Sequence, residues 1–583
     1  MPQATAQPRK RDVLKRRKTD RNNTPENRPD KLTDTADIVP QRALPLFDAL
    51  LIQLFIGIGV TIALLIHQPG WYGVAAGLVV ALLFVVRVRG HTLPSWIAVR
   101  ASFSKERWRR AKSAEQFEPF DADLGEGAQI GFHWDGKTLL SLLRIQENPQ
   151  AMTVLEPGVT ISGEMVSIQA VADCLQQFDI TLDSIDVISQ GSRSQGRGHI
   201  ASIYDAVIGP LPAIAQRTVW VAVRFDPTLC PDAVRTRGGG QEGITRTAAT
   251  ATRRVANRLA EAGLRPHIMT ASEIAHATNQ LCDGVALPSL EETWFTCQDG
   301  LFQLRSFSVK PSMFSTAGLG LLWTIPSYST TVCISLRRDP SKRAPKGAIK
   351  IRGLARFDSH GRTRVRLRGV SPLRGYQFSA LLSTLPLPAP RRSIERWVFG
   401  MTGNALADLA IPASGCGQVI GADEHGRAVA LPLFGPQIER VEICGTLHLA
   451  QQAVLRSLAL GARVRVHTRR PAAWREMVEE VDDSNLLRVT DFNRSTMQAG
   501  SDRNYSVEMF DGVSEQGVRV GVTAIVVKPP QARPSGNADV TLQLIDPIND
   551  VVRVGTRSGA AVVTMVATDD EMRYIKSSFD SPD

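Results

Sequence analysis

The chain has 583 residues, a formal net charge of +11 and 43% hydrophobic residues, which is more than one hydrophobic core serves and ample apolar material for two. The basic excess alone would suggest nucleic acid. However, Lys and Arg concentrate near the amino end beside apolar runs and lack the interleaved aromatics that stack on bases, so anionic lipid headgroups are the expected partner and nucleic acid is set aside. Seven cysteines, Cys174, Cys230, Cys282, Cys297, Cys333, Cys416 and Cys444, form no C-x-x-C pair and cannot all be bridged, which fits reduced, buried thiols and excludes a disulfide scaffold.

In chain order, residues 1–42 are charged, rich in Asn, Thr and Pro, and too poor in apolar residues to fold, so a disordered basic tail is expected. Two apolar runs follow, Leu44 to Ile66 and Trp71 to Val86, joined by His67-Gln68-Pro69-Gly70. At about 1.5 Å per residue they reach roughly 34 and 25 Å, which predicts a transmembrane helical hairpin over residues 43–90. Arg and Lys flank both outer ends and are missing from the joint, so both ends and all later residues are expected on the cytoplasmic side, with only the tip at Pro69 outside. Asp48 and Gln53 interrupt the first run, Asp48 near enough to its cytoplasmic end to reach headgroups. Gly73 and Gly77, four apart, put bare backbone on one face and are the candidate residues for membrane helix packing. Residues 91–118, with Trp96 and Trp108 among basic residues, predict a helix along the headgroups.

Over residues 119–390 short apolar runs alternate with helical spacing. Strands are expected at Thr138–Ile145, Ile185–Ser189, Val219–Phe225 and His267–Met269. Helices are expected at Val166–Phe178, Ile200–Ile208, Ile244–Ala262 and Ser272–Cys282. This predicts a layered α/β domain. From Trp294 to Phe357 the pattern turns to strands alone, among them Leu321–Thr324 and Thr331–Leu336, so antiparallel members should join the sheet. Pro-rich sequence at Leu385–Pro390 closes this domain, and a linker, 391–412, precedes a second α/β domain, 413–583. There a hairpin at Gly417–Leu433 leads into a β-α-β unit, Val441–Cys444, His448–Leu460 and Val464–Thr468, and then a helix at Ala472–Val481. The overall expectation is a membrane-anchored α/β protein with an amino-terminal two-helix hairpin and two cytosolic domains.

Several motifs look chemical. Gly131-Phe132-His133-Trp134-Asp135-Gly136-Lys137-Thr138 has the spacing of a phosphate loop, but bulky side chains and a carboxylate fill its interior. Asp135-Gly136 between two strand-like runs reads better as a hairpin turn. Gly238-Gly239-Gly240 before a long helix, with Arg235 and Arg237 beside it, is a candidate anion site, although three glycines before a helix more often make a plain loop. Cys444-Gly445-Thr446 lies where a nucleotide fold would carry its phosphate loop, yet no Lys follows, so such a site looks degenerate. Gly415-Cys416-Gly417 enters a hairpin, not the helix a dinucleotide fingerprint needs. Asp183 and Asp186 could hold a divalent ion but more often bond local backbone. No metal, catalytic or cofactor-binding residue is assigned, and no cofactor is expected.

The segments FDITLDSIDVISQGSR (Phe178 to Arg193), VIGPLPAIAQRTVWVAVRFDP (Val207 to Pro227), TRGGGQEGITRTAATATRRVANR (Thr236 to Arg258), IGFHWDG (Ile130 to Gly136) and LLWTIPSYSTTVCISL (Leu321 to Leu336) resemble EccE, a membrane component of the type VII (ESX) secretion systems of actinobacteria. The latter part, including SGCGQVIGADEHGR (Ser414 to Arg427), resembles the second domain of longer members. The resemblance implies a structural subunit of the inner-membrane core complex, sitting with EccB, EccC and EccD, of which EccC is the ATPase. It implies no enzyme activity for this chain and carries no catalytic positions over. The competing expectation is a membrane-tethered enzyme using a nucleotide or nucleotide-sugar, since α/β folds host such sites at the carboxyl ends of strands.

Overall fold

A computed structural model describes residues 33–34, 46–85, 93–110, 118–123, 129–148, 152–156, 159–162, 164–195, 199–209, 211–339, 348–361, 368–387, 393–394, 396–400, 406–491, 505–515 and 517–575. The disorder expected of the amino-terminal tail falls almost wholly outside them. Its two described residues, Thr33–Asp34, pair with Phe399 and Val398.

The two apolar runs form helices α1 (Leu46–Leu65) and α2 (Gly70–Val85). Among the described residues no helix is long and apolar enough to cross a membrane, which overturns the expected transmembrane hairpin. Beyond Asp48 the stretch from Ala49 to Leu65 measures only about 26 Å, and α2, with 16 residues, about 24 Å, against a hydrocarbon layer of about 30 Å. The pair is an apolar hairpin whose helices meet at glycines. A Cβ on Gly73 would collide with the carbonyl of Gly59, and one on Gly77 would sit 2.5 Å from the Phe55 carbonyl oxygen and 2.8 Å from Ile56 Cα. Gly73→Ile is therefore expected to push the helices apart, read as at least tenfold faster hydrogen exchange across 46–85 in mild detergent; unchanged exchange would refute this packing. The following helix, Leu93–Arg110, reaches the next layer through Arg107–Glu291 (2.8 Å) and Phe103 edge-on to Trp294 (5.6 Å).

A 14-stranded sheet dominates the first large unit. Its centre is Ser184–Ser192 paired with Gln216–Phe225. Ser329–Arg338, Ile349–His360 and Phe302–Val309 lie on one side, Leu139–Ile145, Gln129–Trp134 and Phe120–Asp123 on the other, and all these pairs are antiparallel. The period-two pattern builds the layers: Val219, Val221 and Val223 point into one core with Ala248, Ala251 and Val255 of helix α3 (Gly240–Glu261), while Trp220 and Ala222 point into another with Ile274 and Leu281 of the helix Ala271–Leu281. That second helix starts where Thr270 and Glu273 cap each other's backbone amides. Two expectations fail locally. Leu321–Thr324 is a 3-10 helix, because the helix capped by Ser315 runs directly into it, and the helix expected over 166–178 shrinks to Ile168–Asp173. Short apolar runs do not distinguish helix from strand.

The second sheet has 12 strands. Its parallel half comprises β1 (Arg440–Cys444), β2 (Val464–Thr468), β3 (Leu487–Asp491), β4 (Val507–Asp511), β5 (Thr523–Lys528) and β6 (Val540–Asp546), in the spatial order β3-β2-β4-β5-β1-β6. Helix α4 (Leu447–Ala459) follows β1 and α5 (Arg475–Val481) follows β2. The antiparallel half continues from β6 through Val551–Thr556, Gly559–Met565, Gln418–Ala422 and Ala428–Leu431. It ends on a ribbon from far earlier in the chain, Thr153–Glu156 with Val159–Ser162.

This ribbon ties the two sheets together, and polar contacts reinforce it. The Val419 N–H donates to the Tyr204 hydroxyl (2.9 Å), the Cys416 and Gly417 amides donate to the carbonyls of Ile214 and Ala215 (2.8 and 3.0 Å), and the Gln216 side chain donates to the Leu460 carbonyl (3.1 Å). Leu155, Tyr204, Ile208, Ala430 and Leu460 form a shared core there. All seven cysteines are buried and unbridged.

Candidate functional site

The apparent phosphate loop is a hairpin turn. Gly136 takes φ +89°, and the Asp135 carboxylate accepts from the backbone amides of Lys137 and Thr138 (2.8 and 2.5 Å) and from the Thr138 hydroxyl (2.6 Å). Burial raises the Asp135 pKa, but these bonds outweigh it and hold the carboxyl below its usual range. Lys137 points to Asp226 (3.2 Å), so its ammonium is engaged within the fold.

At the glycine loop, Gly238, Gly239 and Gly240 all have positive φ, which only glycine adopts at little cost. The flanking cations are engaged by carboxylates. Arg235 pairs with Asp232, and Arg237 donates to Asp179 (2.7 Å) and to the Ala233 carbonyl (2.8 Å). The Arg237 bond holds the Asp179 carboxyl below its usual range. The Gly238 and Gly239 amides bond back to Arg235 and Val234 carbonyls. Asp183 and Asp186 diverge, the first to Arg337 (2.6 Å) and the second to Arg224 (2.8 Å).

Sequence spacing missed three clusters, each built from residues far apart in the chain. At the carboxyl edge of the parallel sheet, Asp511 ends β4 with its side chain fully buried. It receives Arg470 on both oxygens (2.8 and 3.0 Å), Trp474 Nε1 (3.0 Å) and the Thr468 hydroxyl (2.8 Å). Burial pushes its pKa up, and these donors together bring it below the ordinary value. On β1, Glu442 accepts from Lys528 (2.8 Å), Arg440 (3.0 Å) and the Ser535 amide (2.8 Å). Burial opposes its ionisation, but the donors prevail and lower its pKa to about 2. In the first unit Arg356, wholly buried, grips Asp358 (3.0 Å), and the Ser329 hydroxyl bridges Asp358 (3.0 Å) and Asp283 (2.7 Å). Of the acids in these clusters only Glu442 lay on an element read from the sequence, the strand Val441–Cys444; nothing there marked its partners Lys528 and Ser535.

Residues 213–309 match the family model described as "Putative type VII ESX secretion system translocon, EccE". That span runs from the central strand Gln216–Phe225 through α3 to the outer strand Phe302–Val309. Among relatives, the chain is 24% identical over 398 residues to the ESX-1 secretion system protein EccE1 of Mycolicibacterium smegmatis, covering 68% of this chain and 76% of that protein. It is 24% identical over 342 residues to the ESX-2 secretion system protein EccE2 of Mycobacterium tuberculosis, covering 58% and 60%, and 25% identical over 352 residues to the ESX-5 secretion system protein EccE5 of Mycobacterium marinum, covering 56% and 81%. The match to EccE1 of Mycobacterium tuberculosis spans 44% of that protein. These matches support a component of a type VII (ESX) secretion system. Over these spans the chain is similar to EccE proteins of the ESX-1, ESX-2 and ESX-5 systems.

Proposed function

We propose that this chain is a non-catalytic structural subunit of an ESX complex, with its two sheets, tied by the ribbon 153–162, as its two structural bodies and EccB, EccC and EccD-like subunits as its neighbours. The observation that carries this is how the conspicuous charged groups are spent. Asp511 and Glu442 are consumed in ion pairs to Arg470 and Lys528 on other elements, and Arg356, paired with Asp358 along its own strand, also donates to the Thr384 hydroxyl and the Leu281 carbonyl, as befits a rigid docking body. The hairpin α1–α2 leaves Leu54, Ile58, Ile62, Leu65, Trp71 and Val79 exposed. An apolar surface of this kind needs cover, and the basic residues on both flanks support a position against the anionic cytoplasmic face of the membrane.

The test is extraction of the native complex in mild detergent and separation on a native gel. Co-migration of this chain with an EccC-type ATPase is expected, and migration as a lone monomer would overturn the proposal.

A further inference from the structure

The strand order of the second sheet carries a meaning that goes beyond the subunit role. Setting the edge strand β3 aside, the parallel strands run β2-β4-β5-β1-β6. In a large branch of P-loop nucleotide hydrolases the strand that feeds the phosphate loop lies beside the last strand on one side. On the other side, a single strand separates it from the strand ending in the magnesium-binding aspartate. Here β1, feeding α4, lies between β6 and β5, and β4, just beyond β5, ends in Asp511. Both landmark positions of a nucleotide site are therefore present in the topology.

Neither landmark fits its ligand. A phosphate loop needs a run of small residues long enough to wrap the phosphates with backbone N–H groups, followed by a Lys at the start of the helix. Only Gly445 and Thr446 separate Cys444 at the end of β1 from Leu447 at the start of α4, and a two-residue connection cannot encircle an anion. The Gly445 amide is already bonded to the Lys528 carbonyl (3.1 Å), and Leu449 and Leu544 press over the turn, 2.7 and 3.5 Å from where a Cβ on Gly445 would lie. The metal position is likewise taken, because both Asp511 oxygens accept from Arg470 and one also accepts from Thr468 and Trp474. The guanidinium cancels the charge that would attract magnesium.

We infer that the second unit is a nucleotide-hydrolase core disarmed in place: its phosphate loop is shortened to a tight turn, and its metal-binding aspartate is redeployed as a clamp holding Arg470 and Trp474 against the sheet. The unit binds no nucleotide, and Asp511 acts on stability alone.

Thermal unfolding of the full chain, with and without millimolar Mg-ATP or Mg-ADP, tests this. The wild-type midpoint is expected to stay within about 1 °C on adding nucleotide, since a ligand bound only by the folded state must raise it. Asp511→Asn is expected to lower the midpoint of the second unit by several degrees, equally with and without nucleotide. A nucleotide-dependent rise in the wild type that Asp511→Asn abolishes would overturn the inference, as would an Asp511→Asn midpoint equal to wild type. Should Asp511→Asn fail to fold, Arg470→Ala, which frees the carboxylate but leaves the short turn, must still show no nucleotide-dependent rise; a rise would be decisive against it. The outcome is separate from the native-gel result, because a live nucleotide site could exist in a subunit that assembles and a dead one in a subunit that does not.

Discussion

Arg456→Met is expected to destabilise the second unit by about 3–5 kcal/mol, the usual cost of breaking a buried ion pair from one side. Arg456 on α4 is 1% exposed. It donates to both oxygens of Glu571 (2.8 and 2.9 Å) and to the carbonyls of Val419 (2.9 Å), Ile420 (3.0 Å) and Val566. One side chain thus joins α4, the strand Gln418–Ala422, the end of Gly559–Met565 and the helix Asp569–Ile575. Removing it leaves the Glu571 carboxyl and three carbonyls buried without their donor. The double variant Arg456→Met with Glu571→Leu should recover most of the loss, since apolar side chains of similar volume commonly replace such a pair at little cost. Guanidinium unfolding of the three proteins measures the coupling directly. A double variant no better than the single one would show that the pair is not what fastens these elements.

Asp283→Asn is expected to stabilise the first unit at pH 8 by on the order of 2 kcal/mol and to flatten its pH dependence. Burial and then the neighbouring Asp358 raise the Asp283 pKa to about 8, against partial relief from Arg356 and Ser329. The group therefore holds a proton when folded and loses it when unfolded throughout the window from about pH 4 to about 8. Unfolding releases that proton, so stability is greatest at the acid end of the window and falls as pH rises across it. Asn reproduces the neutral side chain and tolerates the left-handed φ of +51° at this position. Urea unfolding at pH 5, 6.5 and 8 should show a declining series in the wild type and a flatter one in the variant. A wild-type stability that climbs over this range would refute the assignment.

Much of the local structure was legible because its causes are local. Asp135-Gly136 announces a hairpin since glycine accepts positive φ and a short carboxylate bonds the following amides. The β1-α4-β2 segment announces itself by a strand run, a helical stripe and a second strand run, and α3 by its small and apolar residues at helical spacing. What misled was length: counted together with Asp48 and the residues before it, the first run looks long enough to span a bilayer, whereas the apolar part of α1 beyond Asp48 reaches only about 26 Å and α2 about 24 Å. The alternation of strand-like and helix-like runs in the first unit did not specify strand direction, which the structure resolves as antiparallel with the helices packed outside.

The sequence by itself determined most of the element types, the buried thiols and the resemblance to a secretion subunit, since periodicity, turn chemistry and motif order are properties of neighbouring residues. Only the tertiary structure decided that residues 153–162 complete a sheet built mostly from residues beyond 417, and that Asp511 meets Arg470, Arg456 meets Glu571 and Asp283 meets Asp358. Those partners lie tens to more than a hundred residues apart, and a charge declares its partner only when burial removes the water that would otherwise solvate both.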